Sequence, residues 1–151
     1  MRLAHAILAV ALAPLALAVP ARANAQDAEL DRGLERLVAD YIDLYRPDRL
    51  AEWKALFLPT FTVASTGDGG TASVRTLDQF FAAQERGFAN SREMGERLEN
   101  VRIHRQGRLA TILADFVFWQ DGETTRGRLT LHAIAGTDGW RFHSLMFTYH
   151  P

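Results

Sequence analysis

Asp115, Arg128, His132 and His143 are the residues of this chain whose types could do acid–base or metal chemistry together. An aspartate beside an arginine stays ionised, and two imidazoles could relay a proton or share a divalent ion. The chain offers few alternatives. It has no cysteine, which removes thiol nucleophiles, disulfides and cysteine metal sites at once. Its one lysine, Lys54, would be the single candidate for a Schiff base. The histidines show neither H-x-H nor H-E-x-x-H spacing, so no metal is expected, and no cofactor. Seventeen Lys and Arg against 18 Asp and Glu leave a net charge of −1, without the basic excess of a nucleic-acid binder.

The elements that must position these residues follow from periodicity. Residues 1–25 read as a signal peptide. Arg2 supplies the positive end, Leu3 to Val19 is apolar, Pro20 is a helix breaker, and Ala23-Asn24-Ala25 presents small residues for cleavage. Ala21-Arg22-Ala23 offers a second cleavage site. The mature chain, 26–151, is expected to be a periplasmic or secreted single domain, free of the membrane after cleavage. Leu30, Leu34, Leu37, Val38, Tyr41, Leu44 and Tyr45 trace one helical face, with Asp27 as its cap. Pro47 opens a short second helix carrying Leu50, Trp53, Leu56 and Phe57. A short strand follows over 60–65, then a loop at Gly67-Asp68-Gly69-Gly70. Thr76-Leu77-Asp78-Gln79 is a capping box, so a third helix starts at Leu77 and ends near Asn90. From Glu96 the period becomes alternating, and four strands are divided by Gln106-Gly107, Asp121-Gly122 and a loop from Gly136 to Gly139. The class is α+β: three helices packed on a curved antiparallel sheet.

Those turns set a register. Ile112 meets Leu131, Ala114 meets Leu129, Ala133 meets Phe142, Leu131 meets Ser144, and Leu129 meets Met146. The apolar face then holds Val101, Ile103, Ala110, Ile112, Ala114, Phe116, Phe118, Leu129, Leu131, Ala133, Trp140, Phe142 and Met146, and helices must cover it. On the other face Asp115 meets Arg128 and His132 meets His143, among Trp119, Leu145, Phe147 and Tyr149. Large apolar side chains on an uncovered face point to a homodimer contact around Trp119, Leu145 and Phe147. A bulge would flip a strand and change these faces.

The element order, with ALFLPTFTVAST and GTDGWRFHSLMF, resembles the nuclear transport factor 2-like and SnoaL-like superfamily, which includes the ketosteroid isomerases. The resemblance implies a cone-shaped fold with a pocket between sheet and helices. It places Tyr41 at the isomerases' catalytic tyrosine, Ser65 at their proton-moving aspartate and Leu131 at their oxyanion aspartate. It therefore implies a pocket of Tyr41, Trp53, Ser65, Phe116, Leu131, Ser144 and Met146, with no carboxylate or imidazole inside. The expected function is binding of a small hydrophobic or aromatic molecule without transforming it, and no isomerase-type proton transfer. The alternatives are a SnoaL-like cyclase, isomerase or dehydratase using Tyr41 with Asp115, His132 or His143, and a structural dimer without ligand.

Overall fold

The computed structural model describes residues 19–66 and 70–150. Most of the apolar leader, and the tip of the glycine loop at 67–69, lie outside the described residues. Helix α1 spans Val19–Asp43, a 3-10 turn spans Pro47–Arg49, and α2 is a short helix, Leu50–Lys54. Strands β1, Phe57–Thr66, and β2, Ala72–Thr76, lead into α3, Leu77–Asn90. Strands β3, Met94–Gln106, β4, Leu109–Gln120, β5, Glu123–Gly136, and β6, Gly139–Tyr149, complete the chain. The six strands form one sheet in the order β2-β1-β6-β5-β4-β3. It is mixed rather than antiparallel throughout, because β1 runs parallel to β6. The short strand is longer than its alternation indicated, and β2, mostly exposed, carries no apolar pattern to announce it. No helix among the described residues is long and apolar enough to cross a membrane.

Helix α3 spans the expected residues, but α1 begins at Val19, ten residues before Glu29, with Pro20 in its first turn, where the missing N–H costs nothing. Helix α2 ends at Lys54, so Leu56 lies in a turn and Phe57 opens β1 instead of completing that helix. Leu34, Leu37 and Tyr41 of α1 are buried against the sheet. Asp27 lies within α1 rather than at its cap, and together with Asp31 it pairs with Arg105 on β3. The capping box at α3 is complete: the Gln79 amide donates to the Thr76 hydroxyl at 3.3 Å, and the Thr76 amide donates to Gln79 Oε1 at 3.0 Å. Trp53 of α2 is anchored by its indole N–H, which donates to the Tyr41 carbonyl at 2.9 Å. Phe57, Phe61, Phe80 and Phe142 surround it and Tyr41 in an aromatic centre.

Two bulges decide which side chains face the helices. The β4–β5 register is as expected, including Ile112 opposite Leu131 and Asp115 opposite Arg128. In β6, Ala133 still meets Phe142, but His132 meets Ser144, so His143 is an extra residue. Beyond it Leu131 meets Leu145 and Leu129 meets Phe147. Leu145 and Phe147 therefore face the helices, Met146 is 56% exposed on the far side, and the dimer face assigned to them loses two of its three apolar anchors. The His132–His143 pair does not form; His132 Nδ1 instead lies 3.0 Å from the Ser144 hydroxyl.

The second bulge is in β3, where Glu99 meets Asp115 and Arg102 meets Leu113. Asn100 and Val101 thus oppose a single residue, Ala114, and Asn100 takes a positive φ of 53°. Asparagine tolerates that region better than most side chains. The Asn100 amide donates to Asp115 Oδ2 at 2.8 Å, and Arg128 Nε donates to Asp115 Oδ1 at 3.0 Å. Val101 falls in the bulge and Ile103 at the sheet edge, so both are about two-fifths exposed instead of covered.

Candidate functional site

The β3 bulge changes the face parity of the strand. Ile103 opposes Ile112 on the helix side, whereas beyond the extra residue it is Leu98 that opposes Phe116 and Glu96 that opposes Phe118. A carboxylate is thereby turned toward the helices. Beside it, Gly95 lets the Trp119 ring cross its backbone, where a Cβ would stand 2.3 Å away. Gly127 serves the same purpose opposite Phe116, whose ring occupies the space a side chain would need.

Glu96 lines a cavity of about 130 Å³ between sheet and helices. Tyr41 and Tyr45 come from α1 and its end, Trp53 from α2, Phe80 and Gln84 from α3. Arg75 comes from β2, while Phe116, Phe118, Leu129, Leu145, Phe147 and Tyr149 complete the sheet wall. The Tyr45 hydroxyl donates to Gln84 Oε1, tying α1 to α3 at the lining. Arg75 holds its guanidinium carbon over the Phe80 ring, 5.7 Å from the centroid. Such a cation–π contact lets a charge sit beside an apolar wall.

Burial pushes the Glu96 carboxyl up to about 7, against the opposing pull of its hydrogen bond with the Tyr41 phenol. Burial, with the nearby Glu96 charge, holds Tyr41 well above its ordinary range, and the same two causes raise Tyr45. The phenols therefore stay protonated as donors while the carboxyl exchanges a proton near neutrality. A titrating carboxyl hydrogen-bonded to a permanent phenol donor can take a proton from a bound molecule and return it.

The sequence-derived site divides. Tyr41, Trp53 and Phe116 line this cavity. Leu131 is fully buried in the core and does not reach it. Ser65 lies at the far end of β1, where its hydroxyl is 3.1 Å from that of Ser73. Ser144 and Met146 are carried to the opposite face by the β6 bulge. Asp115, His132 and His143 also stay outside; Asn100 and Arg128 hold the Asp115 carboxyl below its usual range, and its partners are structural. The expectation of a pocket without a carboxylate is corrected by Glu96, which straight alternation through β3 misplaces. Its signal was the parity change itself: Met94 and Leu98 are apolar at even positions, Val101 and Ile103 at odd ones. Among the described residues no group of three or more His, Asp or Glu could hold a metal ion.

Solved structures share this architecture at low identity. A nuclear transport factor 2-like protein with a cystatin-like fold from Novosphingobium aromaticivorans is 14% identical, covering 90% of this chain and 92% of its own, with a TM-score of 0.69. A protein of the same organism provisionally named scytalone dehydratase is 16% identical over 85% of this chain and 89% of its own, TM-score 0.66. A provisional dehydratase of the nuclear transport factor 2-like family from Streptomyces avermitilis is 12% identical over 83% and 99%, TM-score 0.66. At such identities the likeness establishes the fold alone. No curated protein matches the sequence. The profile of the SnoaL-like domain family covers residues 34–147, and with three-quarters of its length inside that match the chain belongs to the SnoaL-like family.

Proposed function

We propose that this SnoaL-like domain is a general acid–base enzyme, a lyase or isomerase, acting on a small cyclic or aromatic substrate held in the cone between helices and sheet. One observation carries the reading: the Glu96 carboxyl, which burial pushes up to about 7, lines an aromatic cavity together with the buried Tyr41. A catalytic group is most effective when its pKa lies near the working pH. A storage-type binder of neutral apolar molecules has no use for such a group, because a carboxyl buried in the wall weakens their binding. This favours the catalytic alternative over a passive binder.

In the proposed step, ionised Glu96 removes a proton from carbon next to a carbonyl, and the electron pair moves toward the carbonyl oxygen. The carboxylic acid so formed returns the proton. Delivered to a β-hydroxyl, it releases water and leaves a C=C bond; delivered to a γ-carbon, it shifts a double bond. Neither outcome needs an oxidant or reductant. Tyr41 is a positioning residue, setting the orientation and proton affinity of Glu96. The provisional dehydratase names of two structural neighbours fit the first outcome.

The test is turnover of single-ring β-hydroxyketones and β,γ-unsaturated ketones by wild type and Glu96→Gln. The expected result is activity rising through a pKa near 7 and lost about 100-fold or more in the variant. Absence of turnover across both classes, or activity untouched by Glu96→Gln, overturns the reading. Export rests on the leader of residues 1–25, and an intact mass beginning at Gln26 in the exported fraction tests it.

A further inference from the structure

Among the described residues, two buried side-chain polar atoms lack a hydrogen-bond partner: Arg75 Nε and Glu96 Oε1. Both residues line the same cavity. Buried polar groups ordinarily find partners, so each exception calls for a group that completes it. The two are opposite in kind. Arg75 can only donate, and Glu96, once ionised, can only accept. None of the ion pairs among the described residues uses Arg75. Its guanidinium over Phe80 thus brings to the cavity a positive charge that no ion pair among the described residues neutralises.

Resting on the acid–base reading of this cavity, we propose that its ligand is a hydroxylated single-ring acid, whose carboxylate is taken by Arg75 and whose hydroxyl donates to Glu96. An arginine recognises a carboxylate through parallel N–H groups, a geometry a neutral ligand cannot complete. The ring is sized by the space. About 130 Å³ is close to the roughly 150 Å³ of an engineered cavity that holds benzene. Trp53, Phe80, Phe116 and Phe118 supply the apolar walls a ring needs. Fused polycyclic substrates are too large for this space. Arg75 is therefore the specificity-determining residue, selecting acids over neutral rings of the same size.

The experiment is calorimetric titration of wild type, Arg75→Gln, Arg75→Lys and Glu96→Leu with the three hydroxybenzoates, benzoate and phenol. At least one hydroxybenzoate should bind wild type tenfold or more tightly than phenol. Arg75→Gln should lose that preference while binding phenol unchanged, and Arg75→Lys should keep part of it, which separates a lost charge from a lost fold. Glu96→Leu should bind hydroxybenzoate no better than benzoate, with the acid preference kept. Phenol binding as tightly as the acids, or Arg75→Gln binding them like wild type, overturns the inference. Arg75-dependent acid binding by a protein that turns over neither ketone class would sustain this inference and sink the acid–base reading; ketone turnover without acid preference would do the reverse.

Discussion

Removing one oxygen, by Tyr41→Phe, should raise the pKa of Glu96. The Tyr41 hydrogen bond favours the ionised carboxyl, opposing the burial that pushes Glu96 up to about 7. A hydrogen bond to a charged group contributes about 1.5–3 kcal/mol, and 1.36 kcal/mol corresponds to one pKa unit, so the variant should titrate about one to two units higher. The sign follows from which form is stabilised. The phenol lowers the energy of the carboxylate, so without it the proton is held to higher pH. At pH 7 the ionised fraction would fall from about one-half to about one part in ten to one in a hundred, and base catalysis with it by about 5- to 50-fold. Activity should return as the pH is raised toward 9, which distinguishes a shifted base from a damaged site. The assay needs no substrate: carbon-13 NMR of the glutamate side-chain carboxyls, titrated in both proteins with Glu96→Gln to assign the resonance. A wild-type Glu96 titrating near 4.5, or a Tyr41→Phe protein titrating at or below wild type, refutes the reasoning.

Three further outcomes are expected. Glu96→Gln should stabilise the fold at high pH and not at low pH. A carboxyl raised from 4.5 unfolded to about 7 folded gives stability that is fully present below 4.5 and lost as the pH rises through 7, a loss of up to about 3 kcal/mol that the amide avoids; melting curves of both proteins at pH 4 and pH 8 read the difference. Asp115→Ala should drop the Glu96 titration toward the ordinary carboxylate range, because Asn100 loses the acceptor that holds the β3 bulge, while Asp115→Asn, which can still accept, should leave it near 7; an unchanged NMR titration in the alanine variant would dismiss the anchor. Gly127→Ala should destabilise by about 1–3 kcal/mol in urea denaturation, since its Cβ would meet the Thr148 carbonyl oxygen at 2.3 Å and Phe116 Cζ at 2.4 Å.

Much of the frame was legible because local rules acted alone there. The capping box at Thr76 and the turn at Asp121-Gly122 need only neighbouring residues, and they yield α3 and the β4–β5 register directly. The helical face of Leu34, Leu37 and Tyr41 is likewise a matter of spacing. The site was less legible because it depends on two extra residues in strands. Leu145, Phe147 and Tyr149 share the opposite parity to Trp140 and Phe142, and a straight strand cannot bury both sets on one face. The change of parity locates a bulge near His143, as Met94 and Leu98 against Ile103 locate one near Asn100. Strand β2 had no such signature, since it is largely exposed and bonded through its backbone to β1. Arg75 could not be assigned to a cavity without it.

The extra residue at Asn100 makes the chemistry of β3 a matter of chain length as well as residue identity. Delete one residue there, keep every other letter, and each side chain from Met94 to Glu99 exchanges faces. Glu96 would go to solvent, and Gly95, Arg97 and Glu99 would turn toward the helices. The wall that now carries one carboxyl would then offer a guanidinium and a carboxyl two positions apart. An insertion or deletion at this one corner thus changes which charged groups face the cavity of a SnoaL-like domain without a single substitution. In comparing relatives along this strand, the placement of a gap decides whether the residue matched to Glu96 faces the cavity or the water.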